Sequence, residues 1–473
     1  MKKNILDAHK ESSSSNLNKV KQDELAAAKK FDDLTYYTLL TENNFENKNT
    51  NGSLYGSFYF AKDNIGTKGL RTTASSKILQ DFIPAEDATV IKLLNEAGAE
   101  MLGKTVLDEL GMGGTGLHAV TGPVYNPYDK ERISGGSSSG SVFATANHLG
   151  NFALGTDTGD SIRKPASLTG VVGYKPTYGS VSRYGVIPYA PSLDHVGFFS
   201  NYVEDMFALA EATFKYDKKD FTSIDNSGEY TKLLNTKTKL KRVGYFKEVK
   251  NHTPKKLGDK YEEYFEKLKA NGYEVVEFDF RKDLLDAVAA IYMVLSFSEA
   301  VSTSANLDGI NFGLRVDGEN FADIMKKTRS EGFGQLVKRR FIIGSYQLKS
   351  ENQIDLQLKA KQIRRLISQE FDKAFEQVDF IVMPPTIAKA KLISECTNRT
   401  IEEQDANDEG KFMENLLVLG NLTGIPSITI PFVTEDGMPI GINFNSKLKS
   451  DGDLLMFAKE SEEIINTMDG REI

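Results

Sequence analysis

The 473 residues carry a net charge of −8, with 40% hydrophobic and 26% charged side chains, the balance of a globular chain able to bury a large core. The acidic total argues against a broad nucleic-acid-binding face, which needs a basic surface, so any RNA involved is expected to be held by a partner. One cysteine, Cys396, excludes an internal disulfide, and five scattered histidines offer no zinc-ligand cluster, so no catalytic metal is expected. No stretch approaches the roughly 18 apolar residues of a membrane span, and the polar start lacks a signal-peptide core; a cytoplasmic protein with no membrane partner is expected.

In chain order, residues 1–50 are polar around one helical run, DELAAAKKFDDLTYYTLL, and predict an exposed N-terminal helical segment with flexible flanks, ahead of a single large domain over 51–473. The turn NGS precedes LYGSFYFAKDN, a strand whose end presents Lys62, Asp63 and Asn64. Asp87 is placed to N-cap an amphipathic helix, ATVIKLLNEAGA, that stops at Gly98; EMLGKT then reads as a short strand and DELGMGGTG as a glycine loop. Residues 132–177 follow, with two serine-bearing glycine turns, GGSSSGS and TDTGDSIR, separated by small residues suited to close backbone approach. Beyond them lie the helix-like YVEDMFALAEA, a charged surface excursion over 215–241, and the strand–helix–strand run RVGYF, LGDKYEEYFEKLKANG and YEVVEFDF. Two long helical patterns, LLDAVAAIYMVLSFSEAVSTSA and QIDLQLKAKQIRRLISQEFDKAFEQ, precede the strand FIVMPP; SITIPFV, PIGINFNS and a final helix close the chain. This alternation predicts an α/β architecture, a large mixed β-sheet covered on both faces by helices.

Three motifs compete for the chemistry. GAEMLGKT at 98–105 fits a phosphate-binding loop with Lys104 and Thr105 as ligands, but such a loop follows a strand and opens a helix, whereas here a helix ends at Gly98 and Met101 and Leu102 read as a buried strand. GSSSG at 136–140 fits a nucleophile elbow around Ser138, which needs a histidine; His148, His195 and His252 are available, and none has a recognisable catalytic setting. The third reading joins Lys62, Ser137 and Ser161. A lysine left neutral by burial can take a proton from serine, a second hydroxyl can relay it, and the glycine turn at Ser161 can turn backbone N–H groups toward an oxyanion. Spacing alone does not choose this reading over a solvated lysine and two turn serines.

The residues AKDN, GGSSSGS, GTDTGDSIRKPA and GVVGYKPTYG resemble the amidase signature family. That resemblance covers most of the chain from about residue 53 and implies a Ser-cisSer-Lys triad: Ser161 as acyl-forming nucleophile, Ser137 as relay with a cis peptide bond before it, Lys62 as base, and Ser138 and Ser139 as supporting turn residues. It assigns the oxyanion to the backbone at Thr158, Gly159 and Asp160. KPTYGSVSRYGVIPYAPSLDHVG, RSEGFGQLVKRRFIIGSY and NLTGIPSITIPF resemble one branch of the family, the glutaminase subunits of tRNA-dependent amidotransferases. This branch implies glutamine as ammonia source, a partner B subunit that holds the charged tRNA and uses ATP and Mg, a small C subunit, and no cofactor in the glutaminase itself. It places Tyr292, Arg340 and Glu414 around the amino-acid end of glutamine, the guanidinium matching the carboxylate.

Some positions depart from the family's pattern. Asp160 stands where a second glycine is usual, and a carboxylate beside the oxyanion opposes the developing charge unless it turns away or pairs with Arg163 or Lys164. Glu414 replaces an Asp, His195 a Gln, and Phe198 a Pro. Two other functions stay open at this point: a stand-alone amidase acting on another small amide, and a catalytically weak scaffold that stabilises the B subunit.

Overall fold

The computed structural model describes residues 4–12, 16–31, 36–397 and 411–468. Its centre is an 11-stranded mixed sheet. In chain order the strands are β1 (Tyr37–Leu40), β2 (Phe58–Lys62), β3 (Glu100–Thr105), β4 (Phe152–Asp157), β5 (Val172–Lys175), β6 (His195–Ser200), β7 (Arg242–Phe246), β8 (Glu274–Phe278), β9 (Phe380–Met383), β10 (Ser427–Glu435) and β11 (Met438–Ser446). Across the sheet they run β1-β3-β2-β4-β6-β5-β10-β11-β9-β7-β8. β2 is parallel to both β3 and β4, and β7 to both β8 and β9, while the strands between β4 and β9 pair antiparallel.

Both faces are covered, as the α/β reading expects. β2 and β4 are buried at every residue, so their apolar runs are continuous rather than alternating. The period of two still sorts their side chains. Tyr59, Ala61, Phe152 and Leu154 enter one core with the helices Val203–Thr213, Lys255–Ala270 and Asp451–Ile465. Phe58, Phe60 and Ala153 enter the opposite core with the helices Ser139–Ala146 and Arg163–Thr169. By the same alternation Lys62, at the end of β2, shares the face of Phe58 and Phe60. Its side chain therefore runs under the N-terminus of the helix Ser139–Ala146.

Several local expectations are corrected. The run DELAAAKKFDDLTYYTLL is not one helix. The helix Leu17–Lys29 ends first, residues 32–35 lie outside the described residues, and Tyr37–Leu40 becomes the sheet's edge strand, antiparallel to β3. Two tyrosines followed by a threonine favour a strand once an edge is open to pair with. Asp87 does not cap the helix Thr89–Glu96; its Oδ1 accepts the Lys68 N–H at 2.8 Å, and Ala88 takes the cap position. The helix Lys282–Thr303 is long and apolar enough to cross a membrane by composition, against the expectation that no stretch approaches that limit. Here its Leu284, Leu285, Val288, Ile291 and Leu295 are buried among the helices Gln335–Gln347 and Lys359–Gln377. The span 215–241 carries one short 3₁₀ turn, Tyr230–Leu233, which buries Tyr230 against Phe214.

The helix Ser139–Ala146 lies against backbone. A Cβ on Gly140 would stand 2.1 Å from the Tyr36 carbonyl oxygen and 2.7 Å from the Val106 nitrogen, neither of which can rotate away. Gly140→Ala is therefore expected to destabilise the protein by about 3 kcal/mol, measured as a lowered urea midpoint with an unchanged m-value.

Candidate active site

β2 and β4 end side by side, and their ends carry the lysine and the turn that holds Ser161. Lys62 is fully buried. Its Nζ lies 2.8 Å from Ser137 Oγ, 2.9 Å from Ser138 Oγ, 2.8 Å from Thr156 Oγ1 and 3.2 Å from the Thr156 carbonyl oxygen. Burial pulls its pKa down to about 7, against the opposing pull of Asp108, Asp157 and Asp194. A lysine of that pKa is substantially neutral at physiological pH.

The neighbouring hydroxyls are not equivalent. Ser138 donates to the Thr156 carbonyl at 3.1 Å, so toward Lys62 it accepts. Thr156 Oγ1 already accepts from Asn64 Nδ2 at 3.1 Å. The Ser137 hydroxyl has no other hydrogen-bond partner among the described residues. A neutral amine has two N–H donors and one lone pair; the Ser138 proton is committed to the Thr156 carbonyl, so that lone pair can take the proton of Ser137 or that of Thr156, whose hydroxyl accepts from Asn64 without spending its own proton. The peptide bond Gly136–Ser137 is cis. The turn is tight: a Cβ on Gly136 would lie 2.1 Å from Asp108 Oδ2, and the Asp108 carboxylate accepts the N–H groups of Thr115, Gly116 and His118.

Ser161 sits four residues past the end of β4, buried, at the entrance of the helix Arg163–Thr169. Its turn is held from behind by a buried ion pair. Arg163 meets Asp157 through Nε at 3.1 Å and through a terminal nitrogen at 2.8 Å, and the same nitrogen donates to the Gly159 carbonyl at 2.8 Å. Asp157 also accepts the N–H of Ile162 at 2.9 Å. Burial alone would raise the Asp157 pKa, but the charges of Arg163 and Lys175 and the hydrogen bonds from Arg163 and Asn421 hold it well below the carboxylate range. Because a peptide unit is planar and trans, turning the Gly159 carbonyl toward Arg163 turns the Asp160 N–H away from it. The N–H groups of Gly159, Asp160 and Ser161 donate to no described residue, which leaves them for an oxyanion. The Ser161 hydroxyl likewise makes no hydrogen bond with a described residue, so the Lys62–Ser137 link is closed here and the Ser137–Ser161 link is not. Thr158, the other residue assigned to the oxyanion, is anchored by its side chain, the hydroxyl donating to Asp194 at 2.7 Å.

Asp160 takes the second of the two arrangements open to it. Its carboxylate is 3.4 Å from Lys164 Nζ, while Arg163 is committed to Asp157. Tyr292 packs against the turn, three of its ring and hydroxyl atoms at 3.1 Å from where a Gly159 Cβ would be. Arg340 donates to the Tyr189 hydroxyl at 2.7 Å, and its Nε is buried without a partner. Glu414 is half-exposed, bound to Lys391 at 2.7 Å, on the wall of a cavity of about 230 Å³ that Lys164 and Thr115 also line. A larger cavity, about 410 Å³, reaches Thr156 and Thr158 and is walled by Tyr189, Asp194 and His195.

The rival motifs resolve into structure. His195 lies on β6 with Nδ1 2.7 Å from the Leu193 carbonyl, and Ser138 is engaged by Lys62 and Thr156 rather than by any histidine. Burial and the nearby Lys175 push His195 well below the usual imidazole pKa. Lys104 is on β3, fully buried, donating to the Ile65 carbonyl and to Thr72, with Asp63 at 3.6 Å. Sequence reasoning missed the Asp157–Arg163–Asn421 cluster, Thr156 and Tyr189. The first was visible in part, since an aspartate six residues before an arginine brackets the TDTGDSIR turn; the partners contributed by residues 417–427 carry no local signal.

Known proteins share this sequence pattern and this fold. The Amidase family model matches residues 11–455. The A subunit of a glutamyl-tRNA(Gln) amidotransferase from Mycoplasma pneumoniae is 40% identical over 414 residues, 86% of this chain and 85% of its own. The protein of the same name from Pelagibacter ubique is 40% identical over 432 residues, 90% of this chain and 87% of its own. The crystal structure of the glutamyl-tRNA(Gln) amidotransferase A subunit from Thermotoga maritima superposes with a TM-score of 0.77 at 31% identity, covering 96% of this chain and 93% of that one. A peptide amidase from Stenotrophomonas maltophilia shares the fold, with a TM-score of 0.82 at 24% identity, covering 98% of this chain and 97% of that one. The chain belongs to the amidase family.

Proposed function

We propose that the protein is the glutaminase subunit of a tRNA-dependent amidotransferase, hydrolysing glutamine through an acyl-enzyme on Ser161 and supplying ammonia for conversion of Glu-tRNA(Gln) to Gln-tRNA(Gln), and of Asp-tRNA(Asn) where that substrate is used. The observation that carries the chemistry is the buried Lys62 amine 2.8 Å from the otherwise unpartnered Ser137 hydroxyl. Kinship with amidotransferase A subunits over most of the chain supports the choice of substrate. In this reading Ser161 Oγ attacks the side-chain amide carbon as its proton passes to Ser137 and the Ser137 proton passes to Lys62. The negative oxygen is received by the N–H groups of the turn. Collapse breaks the C–N bond, the proton on Lys62 returns through Ser137 to the leaving nitrogen, and ammonia departs. Water then repeats the attack on the ester, releasing glutamate and restoring Ser161. Arg340, with its unpartnered Nε, and Tyr292 receive the substrate's carboxylate end. The chain uses no cofactor of its own; the B subunit binds the charged tRNA and uses ATP and Mg, the C subunit braces the pair, and the complex works in the cytoplasm.

Ser161→Ala is expected to lower glutamine-dependent ammonia release by about 10³-fold or more, and Ser137→Ala and Lys62→Met by about 10²-fold or more, each with an unchanged far-ultraviolet circular dichroism spectrum. Ammonia release that rises when the B subunit, charged tRNA and ATP are added supports the amidotransferase. Faster hydrolysis of another amide with no response to those additions would support a stand-alone amidase instead.

The lowered pKa of Lys62 sets the pH profile. The base works as the neutral amine, which exists above about pH 7 and is lost below it. A plot of kcat/KM against pH is therefore expected to fall about tenfold per unit on the acid side of pH 7 and to level off above it. An acid limb near pH 4 to 5 would assign the titration to a carboxylate instead.

A further inference from the structure

A carboxylate bound by Arg340 assists hydrolysis only when Arg340 stands at a set distance from the relay and the nucleophile, which belong to a distant part of the chain. The 3₁₀ turn Glu109–Gly111 lies between them. On one side the Asp108 N–H donates to the Ser137 carbonyl at 3.1 Å, and a Cβ on Gly111 would be 3.9 Å from Ser137 Oγ. That Cβ would also be 3.9 Å from the Cβ of Tyr189, whose hydroxyl accepts from Arg340 at 2.7 Å. The Glu109 side chain makes a second connection. It is 6% exposed, and its carboxylate accepts the Gly334 N–H at 2.9 and 3.2 Å and the Ser76 hydroxyl at 2.5 Å. Gly334 is the N-cap of the helix Gln335–Gln347, which carries Arg340 in its second turn, and it offers no side chain to cap that helix. Glu109 thus takes, from another loop, the N–H that a glutamate inside the helix would take in a capping box. The approach is close: a Cβ on Gly334 would be 2.4 Å from Glu109 Oε2. Ala74, Ser75 and Leu110 have φ of 48°, 50° and 54°, values that favour glycine, and the Leu110 N–H donates to the Ala74 carbonyl at 2.9 Å. Backbone strain therefore gathers on both sides of the Ser76–Glu109 bond, as it does where the surroundings over-determine a functional position.

Resting on the glutaminase reading above, we propose that Glu109 is a positioning residue: by holding the Gly334 N–H it sets the helix that carries Arg340 at the distance from Ser137 and Ser161 that glutamine spans. It acts through Arg340 and touches neither substrate nor reacting atoms. The grip on Ser137 comes from the Asp108 backbone, so it stays when the Glu109 side chain is removed. What the position requires is an acceptor rather than a charge, because the Gly334 N–H and the Ser76 hydroxyl are both neutral donors.

The test compares glutamine with 4-aminobutanamide, which is glutamine without its α-carboxylate, as substrates of the full-length protein assembled with its partner subunits. Arg340→Met measures the loss when the carboxylate contact is gone. Glu109→Ala is expected to raise KM for glutamine about tenfold or more, while kcat, and kcat/KM for 4-aminobutanamide, change by less than about threefold. Gly334→Ala, whose own Cβ displaces the carboxylate without removing it, is the second variant, and the same rise in KM is expected of it; thermal melting checks the fold of both. Glu109→Gln keeps a carbonyl acceptor for the Gly334 N–H and is expected to hold KM within about threefold of wild type. Glu109→Ala combined with Arg340→Met is expected to lose no more than Arg340→Met alone. An equal fall for both substrates in Glu109→Ala or Gly334→Ala overturns the proposal, since a merely structural residue acts on both. Additive losses in the double variant overturn it too, as does an unchanged KM in both single variants. Glu109→Gln as impaired as Glu109→Ala would make charge the agent and overturn it as well. Wild type that hydrolyses no glutamine defeats the glutaminase reading and the proposal together; wild type that hydrolyses glutamine, with a KM that Arg340→Met leaves unchanged, defeats the proposal alone.

Discussion

Arg163 and Asp157 form a fully buried ion pair at the end of β4, and the surrounding site depends on it. Removing two charges from water costs several kcal/mol per ion, so such a pair persists only when its remaining donors and acceptors are satisfied. Here they are. Arg163 also reaches the Leu417 carbonyl at 2.7 Å, Ser427 at 3.3 Å and Asn421 at 2.6 Å, while Asn421 donates to the Asp157 carboxylate and carbonyl. One guanidinium thus ties the turn carrying Ser161 to a segment more than 250 residues later, and the closing β10–β11 hairpin cannot shift without moving that turn.

The pair also bears on the proposed base. Asp157 is one of three carboxylates that favour the protonated form of Lys62. With Arg163 directly against it, much of the field of Asp157 is cancelled at the distance of Lys62, as is that of any tightly paired charge. Burial therefore dominates, and the pKa is drawn down to about 7, where amine and ammonium are both populated at pH 7. Positioning of the nucleophile and tuning of the base share one interaction, through opposite ends of a single aspartate: its carboxylate is neutralised, and its backbone continues into the turn.

How much of this was legible in the sequence follows from the range of each interaction. The strand-like LYGSFYFAKDN, glycine-bounded turns and the alternation of helix with strand are local, and the α/β architecture with its covered sheet was readable from them, whereas β4, buried on both faces, was not read as a strand. Lys62, Ser137 and Ser161 were readable as residue types fit for the chemistry, but choosing them over turn serines and a solvated lysine took family resemblance, because only the fold brings β2 beside the helix Ser139–Ala146. The edge strand Tyr37–Leu40 was misread as helix since its partner, β3, lies some 60 residues on. Asp87 was misread as a cap because Ala88 and the Lys68 N–H compete for the same few ångströms of chain. Thr156 and Asn421 act through contacts that no window of sequence contains.

Two buried lysines on adjacent strands show why burial alone does not make a base. Ala61 pairs with Lys104 and Lys62 with Thr105 across β2 and β3, so the two lysines are one residue out of register and leave opposite faces of the sheet, both fully buried and both with lowered pKa values, about 7 and about 8. Their partners differ in kind. Around Lys104 stand the Ile65 carbonyl and the Asp63 carboxylate, which only accept, and two threonine hydroxyls whose protons are directed elsewhere, Thr67 to Ile65 O and Thr72 to Leu70 O. Every group there demands a donor, so the site stabilises an ammonium and has no proton to give back. Lys62 has Ser137, a hydroxyl with its proton uncommitted, and can exchange the ammonium form for the amine without leaving a partner unsatisfied. The exchangeable proton, more than the depth of burial, separates a lysine able to cycle from one that braces the sheet.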